Sequence, residues 1–570
     1  MILIPEARIR AMKARGWWGE ATFDGLFTAQ VARRSNSLAL VDPVNAMEVV
    51  GRAPRRLTWG QIADEVDRMA AVLHAAGVRR DDVVVVQLPN IGELTSVYLA
   101  CARLGVVVTP APAQYRESEL AHIVARTDAV AAVTAARIGK HAHGEMLTAL
   151  KTRCRSLKDV FVLGGAPDGA IDLDGALHQV APAQIAAAHA AAKAAQVTAD
   201  DVVTICWTSG TEAEPKGVPR SHNEWIVMGD GVVDAADLSS ETRVLNPFPM
   251  VNMAGISTAL VGWLLTGGVV VQHHPFDLNV MLAQIRDEAI DYTVAPPALL
   301  NTLLQTEGLL DGIDFGRLKS IGSGSAPLSE WMVRSFHEKY GVQIVNYFAS
   351  NEGASFASAM KDMPAAADRA TLFPRFAPGF VWKAKLHDRV VTRLVDPETG
   401  VEISNKAMPG ELRIKGATVF SGYWRAPDIN ARAFDDDGWF RTGDLFEYTG
   451  EDAQHLKFVG RLKDIVIRGG ANISSEEIEN HLIAHSAIAE AAVVGAPDQR
   501  LGERLAAFVA FKPGRTATLS DINVFLTVER KIAVFKQIER LHVLDHLPRN
   551  PLGKVLKRDL RHLLKTEESA

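Results

Sequence analysis

The sequence predicts an α/β protein: a large N-terminal region of several subdomains, with mostly parallel sheets flanked by helices plus a small β-rich part, and a small α/β C-terminal domain. Helix and strand signals alternate in the first third of the chain and again from Val202 to about Val345, as parallel sheets with crossover helices require. Strand and turn signals dominate after Gly379, and a separate mixed pattern follows Gly460. A chain of 570 residues is also too long for one compact core.

The first unit of helix and strand begins at Thr58. Thr58 and Gln61 form a capping-box pair, in which each side chain bonds a backbone amide at the start of a helix. Apolar residues then recur at helical spacing at Ile62, Val66, Met69 and Leu73. Gly77 ends this helix. The continuous apolar run Val83–Val86 predicts a strand that is buried on both faces.

The alternation continues with a helix predicted around Glu93–Leu104 and a strand at 106–108. Residues 176–198 are rich in alanine and poor in large apolar groups, which predicts a surface helix or a connector. In the later, strand-rich part, Val390–Val395 is predicted as a strand, and Pro409-Gly410 as a turn before another strand at 411–414.

Composition and charge exclude several classes of protein. Hydrophobic residues make up 48% and charged residues 22%, which is ordinary for a globular protein and excludes a disordered tail or a fibrous repeat. The net charge of −6 predicts no nucleic-acid partner. Three cysteines, Cys101, Cys154 and Cys206, are too few for a disulfide framework. With no secretory signal pattern at the N-terminus, this favours a cytoplasmic protein.

One stretch is long enough to span a membrane, since Val244–Phe276 contains no Asp, Glu, Lys or Arg. It also contains three prolines, two asparagines and four glycines, and His273-His274-Pro275 stands at its end, before Phe276. We therefore expect loop, helix and strand within a buried core, and no transmembrane segment.

The most informative segment is the loop from Thr208 to Gly217, which reads TSGTEAEPKG. It follows the buried-strand run Val202–Trp207 and precedes a helix whose start is marked by the capping pair Ser221 and Glu224. Hydroxyls, glycine and a lysine after a strand suit a polyphosphate. The Walker pattern fails because Lys216 is followed by glycine. A surface turn of the same composition is the alternative.

Five further segments, in order and spacing, make nearly the whole chain resemble the adenylate-forming superfamily of acyl-CoA synthetases, aryl-acid ligases, luciferases and peptide-synthetase adenylation domains. The loop at 208–217 resembles its phosphate motif, with Ala213 where glycine is usual. The segment YFASNE resembles the Tyr-Gly-x-Thr-Glu motif. Here Phe348 replaces the adenine-stacking tyrosine, Asn351 replaces threonine, and Glu352 is the Mg²⁺ ligand that the resemblance implies.

The later motifs resemble those that carry the ribose site, the hinge and the adenylation lysine. The segment GWFRTGD carries Asp444 for the ribose hydroxyls, and GRLKD carries Arg461 for ribose or phosphate and Asp464 as the hinge pivot. Gly469 and Gly470 would line the pantetheine passage. Lys554, in the terminal Pro-x-Asn-x-x-Gly-Lys motif, would drive adenylation. The implied division is an ATP- and acid-binding domain at 1–460 and a mobile domain at 461–570.

The resemblance implies an ATP-dependent carboxylate–CoA ligase that acts through an acyl-adenylate. The catalytic residues are Lys554 and Glu352, and the cofactors are ATP, Mg²⁺ and coenzyme A. Partners would be a small carboxylic acid, ATP and CoA, and a homodimer stays open. Taken together, the expected contacts to the nucleotide and CoA are Thr208, Ser209, Gly210, Thr211, Lys216, Ser325, Ala326, Phe348, Asn351, Asp444, Arg461, Gly469 and Gly470.

The acyl pocket is expected to include Trp225, Asn252, Met253 and Gly353. Its apolar lining favours a neutral hydrophobic acid, either aromatic, alicyclic or of medium chain length. Core packing is an equal alternative for Trp225 and Met253, and packing is also an alternative for Phe348.

Two other functions remain open. One is an adenylating enzyme that loads a carrier-protein phosphopantetheine, because the second step needs the same thiol. The other is a non-catalytic binding protein with the same fold, which is supported by the departures at Ala213, Asn252, Phe348, Ala349 and Asn351. Retention of the motif lysines, acids and Arg461 weighs against that alternative.

Overall fold

The computed structural model describes residues 1–208, 215–306, 308–310, 315–469, 471–550 and 553–569. The chain forms two compact units. The first contains 1–208, 216–391 and 415–433, and the second contains, among the described residues, Pro215, 392–414 and 434–569. The predicted division into a domain at 1–460 and a mobile domain at 461–570 describes a movement, so it stays a prediction.

The first unit contains a seven-stranded sheet whose strands are parallel except for the last pair. In spatial order they are Ile171–Asp172, Asp159–Leu163, Ala131–Ala135, Val83–Gln87, Val107–Pro110, Val202–Trp207 and Gly217–Ser221. The predicted strands at 83–86 and 202–207 are confirmed, and both are buried along their whole length. The last pair is an antiparallel hairpin, which places the ends of the 208–217 loop side by side.

An eight-stranded sheet in the same unit is parallel through its centre and antiparallel at both edges. In spatial order its strands are Ser355–Ser358, Gln343–Ala349, Ser320–Gly324, Tyr292–Val294, Arg243–Asn246, Val269–Gln272, Leu38–Val41 and Arg56–Thr58. Since the strands at 320–324 and 343–349 are parallel neighbours, their carboxyl ends lie at one edge of the sheet. The short strand Leu372–Pro374 also belongs to this unit.

Helices flank these sheets, and their apolar faces form the cores of the first unit. Their bounds are Glu6–Ala14, Phe23–Arg34, Ala46–Val50, Trp59–Ala75, Gly92–Leu104, Glu117–Thr127, His143–Leu150, Leu173–His178, Pro182–Ala195, His222–Ala235, Met253–Gly255, Trp263–Thr266, Leu278–Asp287, Pro297–Gln305, Glu330–Tyr340, Ala366–Thr371 and Pro427–Ala433, with a π-helix at Ile256–Gly262 and a 3-10 helix at Lys385–Asp388. Both predicted capping boxes, Thr58 with Gln61 and Ser221 with Glu224, are confirmed.

The uncharged stretch 244–276 forms a strand, a loop, a helix and a second strand, and most of it is buried in this unit, as predicted. None of the helices in the described part of the chain is long and apolar enough to cross a membrane. The alanine-rich prediction is also confirmed, because the helix at 182–195 has a single buried residue, Ala188.

The second unit contains a mainly antiparallel sheet with strands, in spatial order, at His455–Arg461, Phe440–Thr449, Gly410–Gly416, Val390–Val395 and Glu402–Ile403. A further sheet joins Ala471–Ser474, Ile465–Arg468, Gly502–Phe511 and Ile488–Asp498, and Arg540–Val543 pairs with Gly502–Phe511. The helices are Ser475–Ile483, Leu519–Val524 and Lys557–Ser569, with a π-helix at Phe525–Glu529 and 3-10 helices at Leu462–Asp464 and Val534–Lys536. The predicted α/β class, with a β-rich part and an α/β C-terminal part, is confirmed.

Candidate active site

The base of the 208–217 loop is closed by two hydrogen bonds. The amide of Thr208 donates to the carbonyl of Lys216 at 3.0 Å, and the amide of Lys216 donates to the hydroxyl of Thr208 at 3.1 Å. The predicted contacts Ser209, Gly210 and Thr211 lie outside the described residues. The closed base fixes the direction in which the backbone of Lys216 leaves the loop.

A single tyrosine, Tyr423, brings Lys216 and Glu352 together. The ammonium nitrogen of Lys216 lies 4.1 Å from the centre of the Tyr423 ring, within cation–π range. The Tyr423 hydroxyl donates to Oε1 of Glu352 at 3.0 Å. Burial, followed by the neighbouring Glu352 carboxylate, holds the pKa of Tyr423 well above its ordinary value, so its hydroxyl is a donor over the whole working pH range.

Tyr423 is a site residue that the sequence reasoning missed. The signal available was the short aromatic run Tyr423-Trp424 after Ser421-Gly422, in a region interpreted only as strands and turns. Nothing in that local pattern indicates a partner 71 positions away along the chain.

The other predicted nucleotide contacts in the first unit lie at the shared sheet edge. Ser325 and Ala326 are exposed and directly follow the strand 320–324. In the neighbouring strand Tyr347 pairs with Gly324, so Phe348 lies beside Ser325. Phe348 is half-buried, and its ring centre lies 6.1 Å from those of Phe356 and Phe373. Phe348 therefore packs against Phe356 and Phe373, as the alternative of core packing predicts.

The predicted acyl-pocket segment is tied to the Glu352 loop. The side-chain oxygen of Asn351 accepts the amide of Met253 at 2.8 Å. The side-chain oxygen of Asn252 accepts the amide of Ala254 at 3.1 Å and so caps the helix that follows. Both asparagines that depart from the family pattern therefore accept hydrogen bonds from backbone amides. The Asn351 bond places Met253 beside the loop that carries Glu352.

Trp225 is a core residue, and the alternative of core packing accounts for it. The side chain is fully buried, and its indole N–H donates to the hydroxyl of Thr204 at 2.8 Å. It packs in the main apolar cluster of the first unit, so no surface of the indole is left to contact a substrate.

Gly353, which is expected in the acyl pocket, lies where two backbone segments approach each other closely. Its φ is +121°, and a Cβ atom at this position would lie 2.2 Å from the carbonyl oxygen of Thr418 and 2.5 Å from Cα of Val419. Glycine is required here because two backbone segments approach closely, and the space beside it is occupied.

Arg220 and His222, which follow the loop, are buried structural groups. Arg220 is fully buried and donates to the carbonyl of Thr418 at 2.5 Å. His222 accepts the amide of Phe23 at 3.2 Å, and burial lowers its pKa to about 3. Neither residue reaches out to pair with a charged substrate.

In the second unit, Asp444 and Arg461 face each other across neighbouring antiparallel strands. Nε of Arg461 lies 3.3 Å from Oδ1 of Asp444. The Asp444 carboxylate is largely buried, whereas about a third of the Arg461 side chain is exposed. The arrangement leaves the arginine accessible and holds the carboxylate in a fixed orientation.

Lys554 is held by a short turn. The side-chain oxygen of Asn550 accepts the amide of Lys554 at 2.9 Å, and the amide of Asn550 donates to the carbonyl of Lys554 at 2.8 Å. Gly553 has a φ of +81° in this turn, which explains the asparagine and glycine of the motif.

The Lys554 ammonium is also electrostatically destabilised. Burial of the ammonium and the positive charges of Arg461 and Lys463 lower its pKa to about 8, while Asp444 and Glu476 oppose that shift in part. At neutral pH the lysine is still charged. Any anion that approaches it therefore relieves the repulsion.

The predicted hinge residue Asp464 ends the 3-10 helix Leu462–Asp464, and its Oδ1 accepts a charged bond from Arg561 at 2.8 Å. Burial alone would raise its pKa, but Lys557, Arg561 and Lys463 outweigh burial and lower it. Gly469 has a φ of +56° and donates its amide to the carbonyl of Leu501 at 2.7 Å. Gly470 lies outside the described residues.

Known proteins are similar to this chain over most of its length. The family model described as AMP-binding enzyme matches residues 27–424, and that of the AMP-binding enzyme C-terminal domain matches residues 477–554. The chain is 30% identical to 2-hydroxy-7-methoxy-5-methyl-1-naphthoate–CoA ligase from Streptomyces carzinostaticus, covering 96% of this chain and 94% of that protein. It is 31% identical to indoleacetate–CoA ligase from Aromatoleum aromaticum, covering 90% of this chain and 94% of that protein.

Among solved structures, ATP-bound MatB from Rhodopseudomonas palustris has a TM-score of 0.78 at 26% identity, covering 96% of this chain and 99% of that chain. The resemblance identified from the motifs is confirmed by these matches. The chain therefore belongs to the family of AMP-binding enzymes and is an adenylate-forming ligase.

Proposed function

We propose that the protein is an ATP-dependent carboxylate–CoA ligase that acts through an acyl-adenylate. The observation that carries the proposal is the pairing of Lys216 and Glu352 on Tyr423. A cation beside a carboxylate, next to a loop of hydroxyl and glycine residues, suits a nucleotide triphosphate with its metal. The relatives named as CoA ligases support the thiol acceptor.

In the first step, a carboxylate oxygen of the acid attacks the α-phosphorus of ATP, and the bond to pyrophosphate breaks. This joins an anion to a polyanion, so the protein must offset charge and fix geometry. Lys216 and the 208–217 loop hold the departing pyrophosphate. Lys554, charged at neutral pH with a pKa of about 8, neutralises the carboxylate and the α-phosphate.

Glu352 fits the Mg²⁺ that ATP carries. It accepts one hydrogen bond from Tyr423, which takes up only part of the acceptor capacity of a carboxylate. Among the described residues there is no cluster of three or more His, Cys, Asp or Glu that could hold a metal by itself. A metal held by one carboxylate and the phosphates is what Mg²⁺ prefers, and it would neutralise phosphate charge there.

In the second step, the sulfur of CoA attacks the acyl carbonyl, and AMP leaves. Asp444 holds the ribose hydroxyls and Arg461 lies beside it. We further propose that residues 461–570 rotate about Asp464 between the steps, so that Gly469 and Gly470 line the path of the thiol. Both proposed steps use residues of the sequence motifs.

The acid is proposed to be neutral apart from its carboxylate, and aromatic, alicyclic or of medium chain length. The segment 251–255 carries no charged residue, and an unpaired buried charge is strongly unfavourable. The side-chain oxygens of Asn252 and Asn351 accept backbone amides, so these oxygens serve the protein's own structure. The two named relatives act on a naphthoate and on indoleacetate.

The experiment is pyrophosphate release across a panel of acetate, octanoate, benzoate, indoleacetate, an amino acid and a dicarboxylate, with CoA or with holo and apo carrier proteins. Each buried methylene contributes about 0.8 kcal/mol, so the larger neutral acids should exceed acetate greatly. Turnover with CoA alone supports the ligase. Turnover only with holo carrier protein supports the loading enzyme, and no release with any acid supports a binding protein. A preference for acetate or a dicarboxylate would contradict the proposed substrate class alone.

A further inference from the structure

We propose that Tyr423 is a positioning residue that fixes Lys216 and Glu352 relative to each other, through its ring and its hydroxyl respectively. The inference rests on the proposed function, because those two residues are the groups assigned to ATP and its metal. The ring face lies 4.1 Å from the Lys216 ammonium, and the hydroxyl lies 3.0 Å from the Glu352 carboxylate. One side chain thus spans two segments that are remote in sequence.

The backbone around Tyr423 is joined to both of these segments. We call residues 416–424 the clasp segment. On one side, the amide of Phe420 donates to the carbonyl of Glu352 at 2.9 Å, and the hydroxyl of Thr418 donates to the carbonyl of Gly353 at 2.7 Å. On the other side, the amide of Trp424 donates to the carbonyl of Gly217 at 2.9 Å. The clasp segment therefore bridges the Glu352 loop and the strand that begins directly after Lys216.

Two arginines hold the clasp segment from outside: Arg8, which is partly buried, and Arg220, which is fully buried. Arg8 of the first helix donates to the carbonyl of Phe420 at 3.1 Å and to the hydroxyl of Ser421 at 2.9 Å. The fully buried Arg220 donates to the carbonyl of Thr418 at 2.5 Å. Removing the partner of a buried charge is strongly destabilising, so the bonds that these arginines make to the clasp segment are retained. The backbone at Tyr423 is thus held by the Glu352 loop, by the strand after Lys216 and by the two arginines, as a positioning role requires.

The two ends of Tyr423 can be separated by substitution. Tyr423→Phe removes the hydroxyl bond to Glu352 and keeps the ring beneath Lys216. Tyr423→Leu removes both contacts. Ser421→Ala is the matched control, because it removes the Arg8 bond to the Ser421 hydroxyl but leaves the Arg8 bond to the Phe420 carbonyl and both contacts of Tyr423 in place.

The test is calorimetric binding of ATP to the full chain, with Mg²⁺ and with a chelator, alongside pyrophosphate release. Losing one hydrogen bond to a charged group corresponds to about tenfold in affinity. For Tyr423→Phe we expect about that loss in the Mg²⁺-dependent part of ATP binding, with metal-free ATP binding unchanged. The rate of pyrophosphate release should fall while KM for the acid stays constant. Tyr423→Leu should also weaken metal-free ATP binding, and Ser421→Ala should match the wild type.

A double-mutant cycle with Glu352→Gln separates positioning from general damage. If the hydroxyl acts through the carboxylate, Tyr423→Phe should add little once Glu352 is changed. Equal loss of ATP binding with and without Mg²⁺ in Tyr423→Phe, or full additivity with Glu352→Gln, would overturn the inference. Because ATP binding is measured without an acid, this outcome is distinct from failure of the ligase proposal, which would appear as absent pyrophosphate release in the wild type.

Discussion

The charged groups of the two units are held in opposite ways. In the first unit, Lys216 and Glu352 carry opposite charges and contact the same tyrosine. In the second unit, burial and two neighbouring cations, Arg461 and Lys463, disfavour the charged form of Lys554 and lower its pKa to about 8. Lys216 and Glu352 each make a favourable contact with Tyr423, whereas neighbouring positive charges disfavour the charged form of Lys554.

This difference separates binding from catalysis. The contacts with Tyr423 fix the positions of Lys216 and Glu352, so this pair serves to orient the nucleotide and its metal. A repelled cation gains most when negative charge develops beside it, and only interactions that strengthen in the transition state accelerate a reaction. We therefore expect changes at Lys554 to affect the rate of adenylation most, and changes around Tyr423 to affect nucleotide binding.

The largest effect should come from Lys554→Ala. Loss of this cation should lower the rate of acyl-adenylate formation by about 10²–10³, because only this step joins two anions. Formation of the thioester from supplied acyl-adenylate should be nearly unchanged. Rapid-quench assays of the two half-reactions measure this directly. Equal losses in both would remove Lys554 from the assigned role.

The next effect concerns the proposed hinge. Asp464→Pro fixes φ and removes a backbone donor, so it should lower thioester formation by about tenfold or more, while single-turnover pyrophosphate release remains. Asp464→Asn is the control, since it weakens the ion pair with Arg561 but keeps the backbone free, and it should retain the second step. An unimpaired second step in the proline variant would show that the pivot lies elsewhere.

The pH dependence of adenylation should reflect the lowered pKa of Lys554. Above about pH 8 the lysine loses its charge, so kcat/KM for ATP should fall by about tenfold per pH unit, because that parameter reports the free enzyme. Burial raises the pKa of Glu476 to about 7. Glu476 therefore loses its proton before the pH reaches 8, and its titration does not cause the decline. Lys554→Arg, which stays charged, should show no fall near pH 8 even if its rate is lower.

The smallest effect on function should come from Trp225→Phe. The buried indole packs in the core and donates to Thr204, so its loss should lower the free energy of unfolding by about 1–3 kcal/mol. The ratio of kcat/KM between benzoate and octanoate should stay within about twofold. Chemical denaturation and the acid panel check the two parts. A marked change in selectivity would return Trp225 to the acyl pocket.

Local patterns predicted much of the fold. Both capping boxes and the strand 202–207 are found at the predicted residues, because caps and buried strands depend on residues that are close in sequence. The motif spacing also named Lys216, Glu352 and Lys554 as site residues, and their roles stay predictions. These features needed no knowledge of tertiary contacts.

Long-range contacts explain what the sequence could not predict. Tyr423 gains its role from partners at 216 and 352, which no local pattern connects. Gly353 is small, yet the carbonyl of Thr418 occupies the position where its Cβ atom would lie. Trp225 follows a motif loop but points into the core. In each case the partner across the fold decides the role.

Activation of the acid as an acyl-adenylate can be tested by following the oxygen atoms of the acid. When the carboxylate carries heavy oxygen, its attack on the α-phosphorus places one labelled oxygen between acyl group and phosphate. Transfer of the acyl group to CoA then leaves that oxygen on AMP. Mass spectrometry should find the label in AMP and none in pyrophosphate. Unlabelled AMP, or the label in inorganic phosphate with ADP as the co-product, would contradict the account.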